Sequence, residues 1–106
     1  MKAINYTRED IISRTGNKLN LTHNEMKLIL DITLNTIVEM LTEDRSRIRI
    51  ELRNFGVFEV KPTKAKPRAR NPRTNEEVYV PQRRKIHFKP GKIIKQELQQ
   101  EWTKTD

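Results

Sequence analysis

"KPTKAKPRARNPRTNEEVYVPQRRK", residues 61–85, decides what kind of fold this chain can adopt. Nine of these residues are basic (Lys61, Lys64, Lys66, Arg68, Arg70, Arg73, Arg83, Arg84 and Lys85) and two are acidic (Glu76 and Glu77), so the segment holds +7 of the chain's formal charge of +8. Four of the five prolines also fall here, at 62, 67, 72 and 81, and the apolar residues are only Ala65, Ala69, Val78, Tyr79 and Val80. Such a segment has almost nothing to bury and cannot be a core strand. It must project from a body made by the flanking sequence, either as an unstructured basic loop or as an extended two-stranded arm. For the arm, Asn71 can brace a turn with its side chain, Pro72 presets the next φ, and Asn75 tolerates a left-handed backbone. Residues near 61–70 then face those near 76–85. A lone two-stranded ribbon is marginal in water. The segment is therefore expected to be a ribbon when bound to a long anionic ligand and mobile toward its tip when free.

Upstream, two helices announce themselves by how they start. In "YTREDI", Thr7 is an N-cap, Asp10 stands in the return position of a capping box, and Tyr6 with Ile11 has the spacing of a hydrophobic staple. "LTHNEM" repeats the device with Thr22, Glu25, Leu21 and Met26, predicting a second helix from about His23 to about Glu43. Gly16 is expected to end the first helix, and residues 17–20 read as a short insertion between the two. On the second helix Lys27, Asp31, Asn35, Glu39 and Thr42 make one narrow polar stripe, while Met26, Leu28, Ile29, Leu30, Ile32, Leu34, Ile37, Val38, Met40 and Leu41 cover the remainder. The chain is 34% hydrophobic and 34% charged, so little apolar material is left elsewhere to cover so wide a face. A second subunit is expected to bury the excess.

Between the helices and the basic segment the period changes to two. "RIRIEL" alternates Ile48, Ile50 and Leu52 against Arg47, Arg49 and Glu51, and "FGVFEV" follows after Arg53 and Asn54, predicting an antiparallel hairpin in which Gly56 allows a bulge. Downstream, "KPGKIIKQELQQEW" predicts a short C-terminal helix over about 90–102, with Pro90 in its first turn and Ile94, Leu98 and Trp102 as a packing stripe. The fold class is α+β: two N-terminal helices, an antiparallel sheet with a long protruding arm over about 61–85, and a short C-terminal helix, all in one domain spanning 1–106.

The chemistry this excludes is broad. With no cysteine and only two histidines, His23 and His87, far apart in sequence, neither a zinc site nor a thiol nucleophile is suggested. Acid pairs such as Glu9 with Asp10, Glu43 with Asp44, and Glu76 with Glu77 are explained by capping or solvation. No enzyme activity, metal or cofactor is expected. No apolar run approaches membrane-spanning length, so no membrane partner is expected either. A pI near 10.1 makes polyanions the natural partners.

"RNFGVFEV", "ARNPRTNEEV" and "IHFKPGKIIK", in this order and over about nine tenths of the chain, resemble the bacterial HU and integration host factor family of DNA-bending proteins. The resemblance implies an intertwined dimer, a homodimer or one half of a heterodimer with a paralogue. Its helices make a base, its sheets a saddle, and its paired arms reach around double-stranded DNA in the minor groove. Carried over by residue, Pro72 becomes the wedge at the arm tip, beside Asn71, with Arg68, Arg70 and Arg73 next to the minor groove. Lys61, Lys64, Lys66, Arg83, Arg84 and Lys85 contact phosphates along the arm, and Lys89 and Lys92 do so beside the start of the last helix. In "IELRNFG", Arg53 matches an arginine of the site-preferring branch that enters the groove and is oriented by an acid matching Glu51. Asn54 and Asn75 stand where many relatives have glycine. The expected function is architectural: bending and compaction of bacterial chromosomal DNA in the cytoplasmic nucleoid. A basic structural RNA-binding or ribosome-assembly protein is the alternative, to which a wedge suited to B-DNA fits poorly because A-form RNA presents a wide, shallow minor groove.

Overall fold

Each of the first two helices begins at its predicted cap in the computed structural model, which describes residues 3–104. The chain divides into two compact units, one of residues 3–40 with 103–104 and one of residues 41–102.

In the first unit, α1 spans Arg8–Leu19 and α2 spans His23–Leu41. The Asp10 carboxylate accepts from the Thr7 amide at 2.7 Å and from the Thr7 hydroxyl at 3.1 Å. At α2 the box closes in both directions, with the Thr22 amide donating to Glu25 at 2.9 Å and the Glu25 amide donating to the Thr22 hydroxyl at 3.2 Å. These amides hold the carboxyls of Asp10 and Glu25 below their ordinary range. Gly16 does not end α1, as the sequence suggested. It lies inside the helix and is buried, and a Cβ there would stand 3.5 Å from Cβ of Met26, an ordinary packing contact. Asn20, left-handed with φ of 54°, supplies the stop instead. Residues 17–19 are the last turn of α1 and not an inserted loop. Ile12 is fully buried and Met26 nearly so, and Asp31 on α2 pairs with both Lys27 at 2.7 Å and Arg8 at 3.1 Å. Much of the apolar surface of α2 stays in solvent in the single chain: Leu28 is 60% exposed and Ile32 56%.

The second unit contains β1 (Ile48–Leu52), β2 (Gly56–Pro62), β3 (Lys66–Arg70), β4 (Glu77–Val80), β5 (Arg84–Pro90) and α3 (Lys92–Gln99). β1, β2 and β5 form an antiparallel sheet in that order, and β3 with β4 forms a separate two-stranded ribbon. The β1–β2 ladder runs without a bulge, from Ile48 opposite Val60 to Leu52 opposite Gly56. Asn54, with φ of 68°, makes the turn. Gly56 serves close approach: a Cβ there would stand 2.5 Å from the Phe88 ring. Phe88 in turn meets Phe55 and Phe58 at centroid separations of 5.6 and 4.9 Å.

The C-terminal helix is shorter than predicted. Pro90 is the last residue of β5, opposite Gly56, and Gly91 is the N-cap of α3. A proline is tolerated at a strand end, where its missing N–H costs no ladder bond. Trp102 lies beyond α3, and it and Leu98 are 72% and 79% exposed, so of the expected stripe only Ile94 is half-buried within the chain.

Candidate nucleic-acid interface

The ribbon folds back at Asn71–Glu76 through hydrogen bonds that its own residues supply. The Asn71 amide donates to the Glu76 carbonyl at 2.9 Å and the Asn75 amide to the Asn71 carbonyl at 2.7 Å. Oδ1 of Asn71 accepts from the Arg73 amide at 2.9 Å, and Asn75 is left-handed with φ of 61°. Both asparagines thus do what the sequence required of them. Arg70 is drawn into the turn, donating to the Asn75 carbonyl at 3.1 Å and lying 3.8 Å from Glu77. Pro72 and Arg73 are exposed on its outside.

Along the shaft Ala69 faces Val78 and Lys66 faces Val80, with an irregularity between Lys66 and Ala69 where Pro67 lacks an N–H to give. Lys64, Lys66 and Arg68 are exposed, and no carboxylate pairs with them among the described residues. At the neck, where the two sheets part, Thr63 and Arg83 close a small ring. The Thr63 amide donates to the Arg83 carbonyl at 2.7 Å, and the Arg83 amide donates to the Thr63 hydroxyl at 3.0 Å.

Below the neck, the strand register sorts residues by face. Arg49 opposite Glu59, Glu59 opposite His87, Lys61 opposite Lys85 and Val57 opposite Lys89 share one face of the three-stranded sheet. The other face carries Phe58, Val60, Ile86 and Phe88. Glu59 sits amid the charged face with its side chain only 11% exposed, held by Lys89 at 3.0 Å and Lys61 at 3.1 Å. Hydrogen bonds from Lys89 first and Lys61 second outweigh burial and hold its carboxyl at about 2.

Eleven of the fourteen expected contact residues fall in four places, and Arg83 stands at the neck. Arg70, Asn71, Pro72 and Arg73 are at the tip; Lys64, Lys66 and Arg68 line the shaft; Lys61, Lys85 and Lys89 lie on the charged sheet face; and Lys92 opens α3. Arg84 departs from this row. Strand alternation sets it opposite Pro62, on the face away from Lys85, and its Nη1 donates to the carbonyls of Glu43 at 2.6 Å and Arg45 at 3.0 Å. Arg53 is exposed in the β1–β2 turn, and Glu51 pairs with Arg49 at 3.5 Å instead of with Arg53. Sequence reasoning missed Glu59 and Thr63. Glu59 could have been found as the acid two residues before Lys61 on the same face of a period-two strand, whereas the Thr63 ring has no local signal.

Among the described residues there is no group of three or more His, Cys, Asp or Glu side chains that could hold a metal ion, and no helix is long and apolar enough to cross a membrane. His23 is 2.7 Å from Glu9 and belongs to the helical unit.

Comparison with known proteins agrees with this geometry. The family described as "Bacterial DNA-binding protein" matches residues 6–99. The DNA-binding protein HU of Thermotoga maritima is 34% identical over 92 residues, covering 87% of this chain and 98% of that protein. Integration host factor subunit alpha of Psychrobacter cryohalolentis is also 34% identical, covering 87% of this chain and 89% of the relative. The chain of an Anabaena HU–DNA cocrystal structure superposes with a TM-score of 0.75 at 26% identity, covering 89% of this chain and 98% of that one.

Proposed function

The chain belongs to the bacterial DNA-binding protein family that includes HU and integration host factor, whose members are architectural proteins and not enzymes, and from this premise we propose that it bends duplex DNA through the minor groove by inserting Pro72 at the arm tip. The observation that carries the reading is the exposed proline in a turn braced by its own asparagines, on a ribbon whose shaft cations have no acidic partner among the described residues. A pyrrolidine ring is apolar and has little side-chain entropy to lose, so it can occupy a partly unstacked base step. Lys64, Lys66, Arg68 and Arg73 supply phosphate and groove contacts, and Lys61, Lys85, Lys89 and Lys92 extend the basic track over the body. Arg53 enters the groove beside them. The whole chain acts as one DNA-binding domain in the cytoplasmic nucleoid.

The functional unit is a homodimer. Leu28, Ile29, Ile32 and Met40 are exposed apolar residues of α2, and a second copy covers them. Folded protein is expected to sediment as a dimer at low micromolar concentration, with separated monomers unfolded; a stable folded monomer would refute this.

Energy transfer between the ends of a short duplex tests the wedge. Pro72→Ala keeps every positive charge, so binding to intact duplex is expected to persist with an unchanged salt slope while the bend decreases. Unstacking a step costs on the order of a few kcal/mol. On nicked duplex, where part of that cost is already met, the variant is expected to approach the parent. An unchanged bend on intact duplex would leave Pro72 as a turn residue, and equal competition by duplex RNA would favour the RNA-binding reading.

A further inference from the structure

We propose that Arg84 and Thr63 are positioning residues that lock the neck of the arm before any DNA arrives, and that Arg84 is not a phosphate contact. The proposal deepens the reading of the arm as the DNA-binding element and rests on it.

At the neck the backbone ladder gives out. β2 ends at Pro62 and β5 begins at Arg84, while Pro81 on the returning side also lacks an N–H. A ribbon attached only through this gap would pivot, because two-stranded ribbons have little stability of their own. Two devices replace the missing ladder bonds. The first is the Thr63–Arg83 ring, in which one hydroxyl accepts from the Arg83 amide at 3.0 Å while the Thr63 amide holds the Arg83 carbonyl at 2.7 Å. The second is Arg84, whose single Nη1 reaches the carbonyls of Glu43 and Arg45 at 2.6 and 3.0 Å and fastens the first residue of β5 to the loop before β1. That loop is itself tightened by the Arg45 amide donating to the Glu43 carbonyl at 2.8 Å. One nitrogen of the guanidinium is committed to two carbonyls, on the sheet face away from Lys85, which turns the group toward the loop before β1 and away from the row of Lys61, Lys85 and Lys89. The Thr63 hydroxyl accepts from the Arg83 amide and donates to the Arg83 carbonyl at 3.2 Å, so it is committed to the neck.

An arm held in direction loses less conformational freedom when it engages a duplex, which raises affinity without adding a contact. Three variants separate this from the contact reading: Arg84→Lys keeps the charge but shortens the reach and loses the planar fork, Arg84→Ala removes both, and Thr63→Val removes the hydroxyl at constant charge. The first measurement uses free dimer without DNA and follows the rate of tryptic cleavage in residues 61–85. Opening of the neck is expected to raise that rate about tenfold in both Arg84 variants and about threefold in Thr63→Val. Rates equal to the parent's in all three would overturn the lock whatever the protein binds. The second measurement is the slope of log K against log salt on random duplex. The lock predicts an unchanged slope and a similar several-fold loss of affinity in Arg84→Lys and Arg84→Ala. Full recovery by Arg84→Lys, with a slope lower by roughly 0.9 in Arg84→Ala, would make Arg84 a phosphate contact. Should Arg84→Ala fail to fold, Thr63→Val and Arg84→Lys decide the matter. Accelerated cleavage together with unaltered DNA affinity would overturn the proposed role in binding while leaving the neck geometry intact.

Discussion

Lys61 and Lys89 in the three-stranded sheet share the carboxylate of Glu59, whereas Lys64, Lys66 and Arg68, a few residues along the same chain, have no acidic partner among the described residues. The contrast follows from what each region buries. The sheet has an apolar face bearing Phe58, Val60 and Phe88, and on the opposite face it holds a nearly buried carboxylate, charge-balanced there by two lysines. The ribbon has no buried residue, and its cations remain in water. A count of basic residues is therefore not a count of charges ready for phosphate. Of the residues between 61 and 85, Lys61, Arg70 and Arg84 are already engaged by a carboxylate or by carbonyls. The ones left over concentrate on the shaft and tip.

The largest expected effect breaks or sharpens this contrast directly. Lys64→Ala with Lys66→Ala is expected to lower the salt slope of binding by roughly 1.8 per protomer, since each neutralised phosphate contributes about 0.9 on B-DNA. Lys61→Ala should lower it by less than half the effect of a single shaft lysine, because much of its charge is already balanced by Glu59. Binding isotherms of the two variants across a salt series decide the point. Equal slopes per lysine removed would mean that pairing with Glu59 does not reduce the charge available to DNA, and the distinction between sheet and ribbon would fall.

The parts of this arrangement that could be read in the sequence are those settled within a few residues. Thr7 with Asp10, Thr22 with Glu25, and Asn71 with Asn75 act through hydrogen bonds between near neighbours, and their residue types announce the geometry. The period-two pattern likewise placed β1 and β2. What could not be read depends on partners far along the chain. Gly16 reads as a helix stop because glycine often is one, yet it lies buried inside α1 beside Met26, a residue of the next helix. Gly56 suggested a bulge, and Phe88 explains it as a place where a ring must fit. Arg84 stands among basic neighbours in the sequence, which say nothing of the Glu43 and Arg45 carbonyls, some 40 residues earlier, that its guanidinium reaches. Pro90 read as a helix-starting proline, and the pairing of β2 with β5 claimed it first. In each of these cases composition named the residue and tertiary pairing chose its use.

The smallest expected effect concerns Glu59 itself and asks whether the sheet's pairing also stabilises the fold. In the folded protein its carboxyl is held at about 2 by Lys89 and Lys61, against an ordinary value of 4.5. A carboxyl depressed on folding contributes stability that is fully present above its unfolded value and is lost as pH falls through the folded one. The contribution of Glu59 is therefore complete above pH 4.5 and fades between there and about 2. Asp10, Glu25 and Asp31 shift in the same direction through hydrogen bonds from Thr7, Thr22 and Lys27, so the parent loses stability in this window from several sites. The difference between parent and Glu59→Gln isolates one of them. Urea unfolding of both at matched protein concentration should show the parent more stable at pH 7, with the gap narrowing as pH drops from 4.5 toward 2, because the neutral amide cannot titrate. A gap that stays constant across that range would mean the Glu59 side chain stabilises the sheet by packing alone. The two lysines would then be held near it without gaining from its charge.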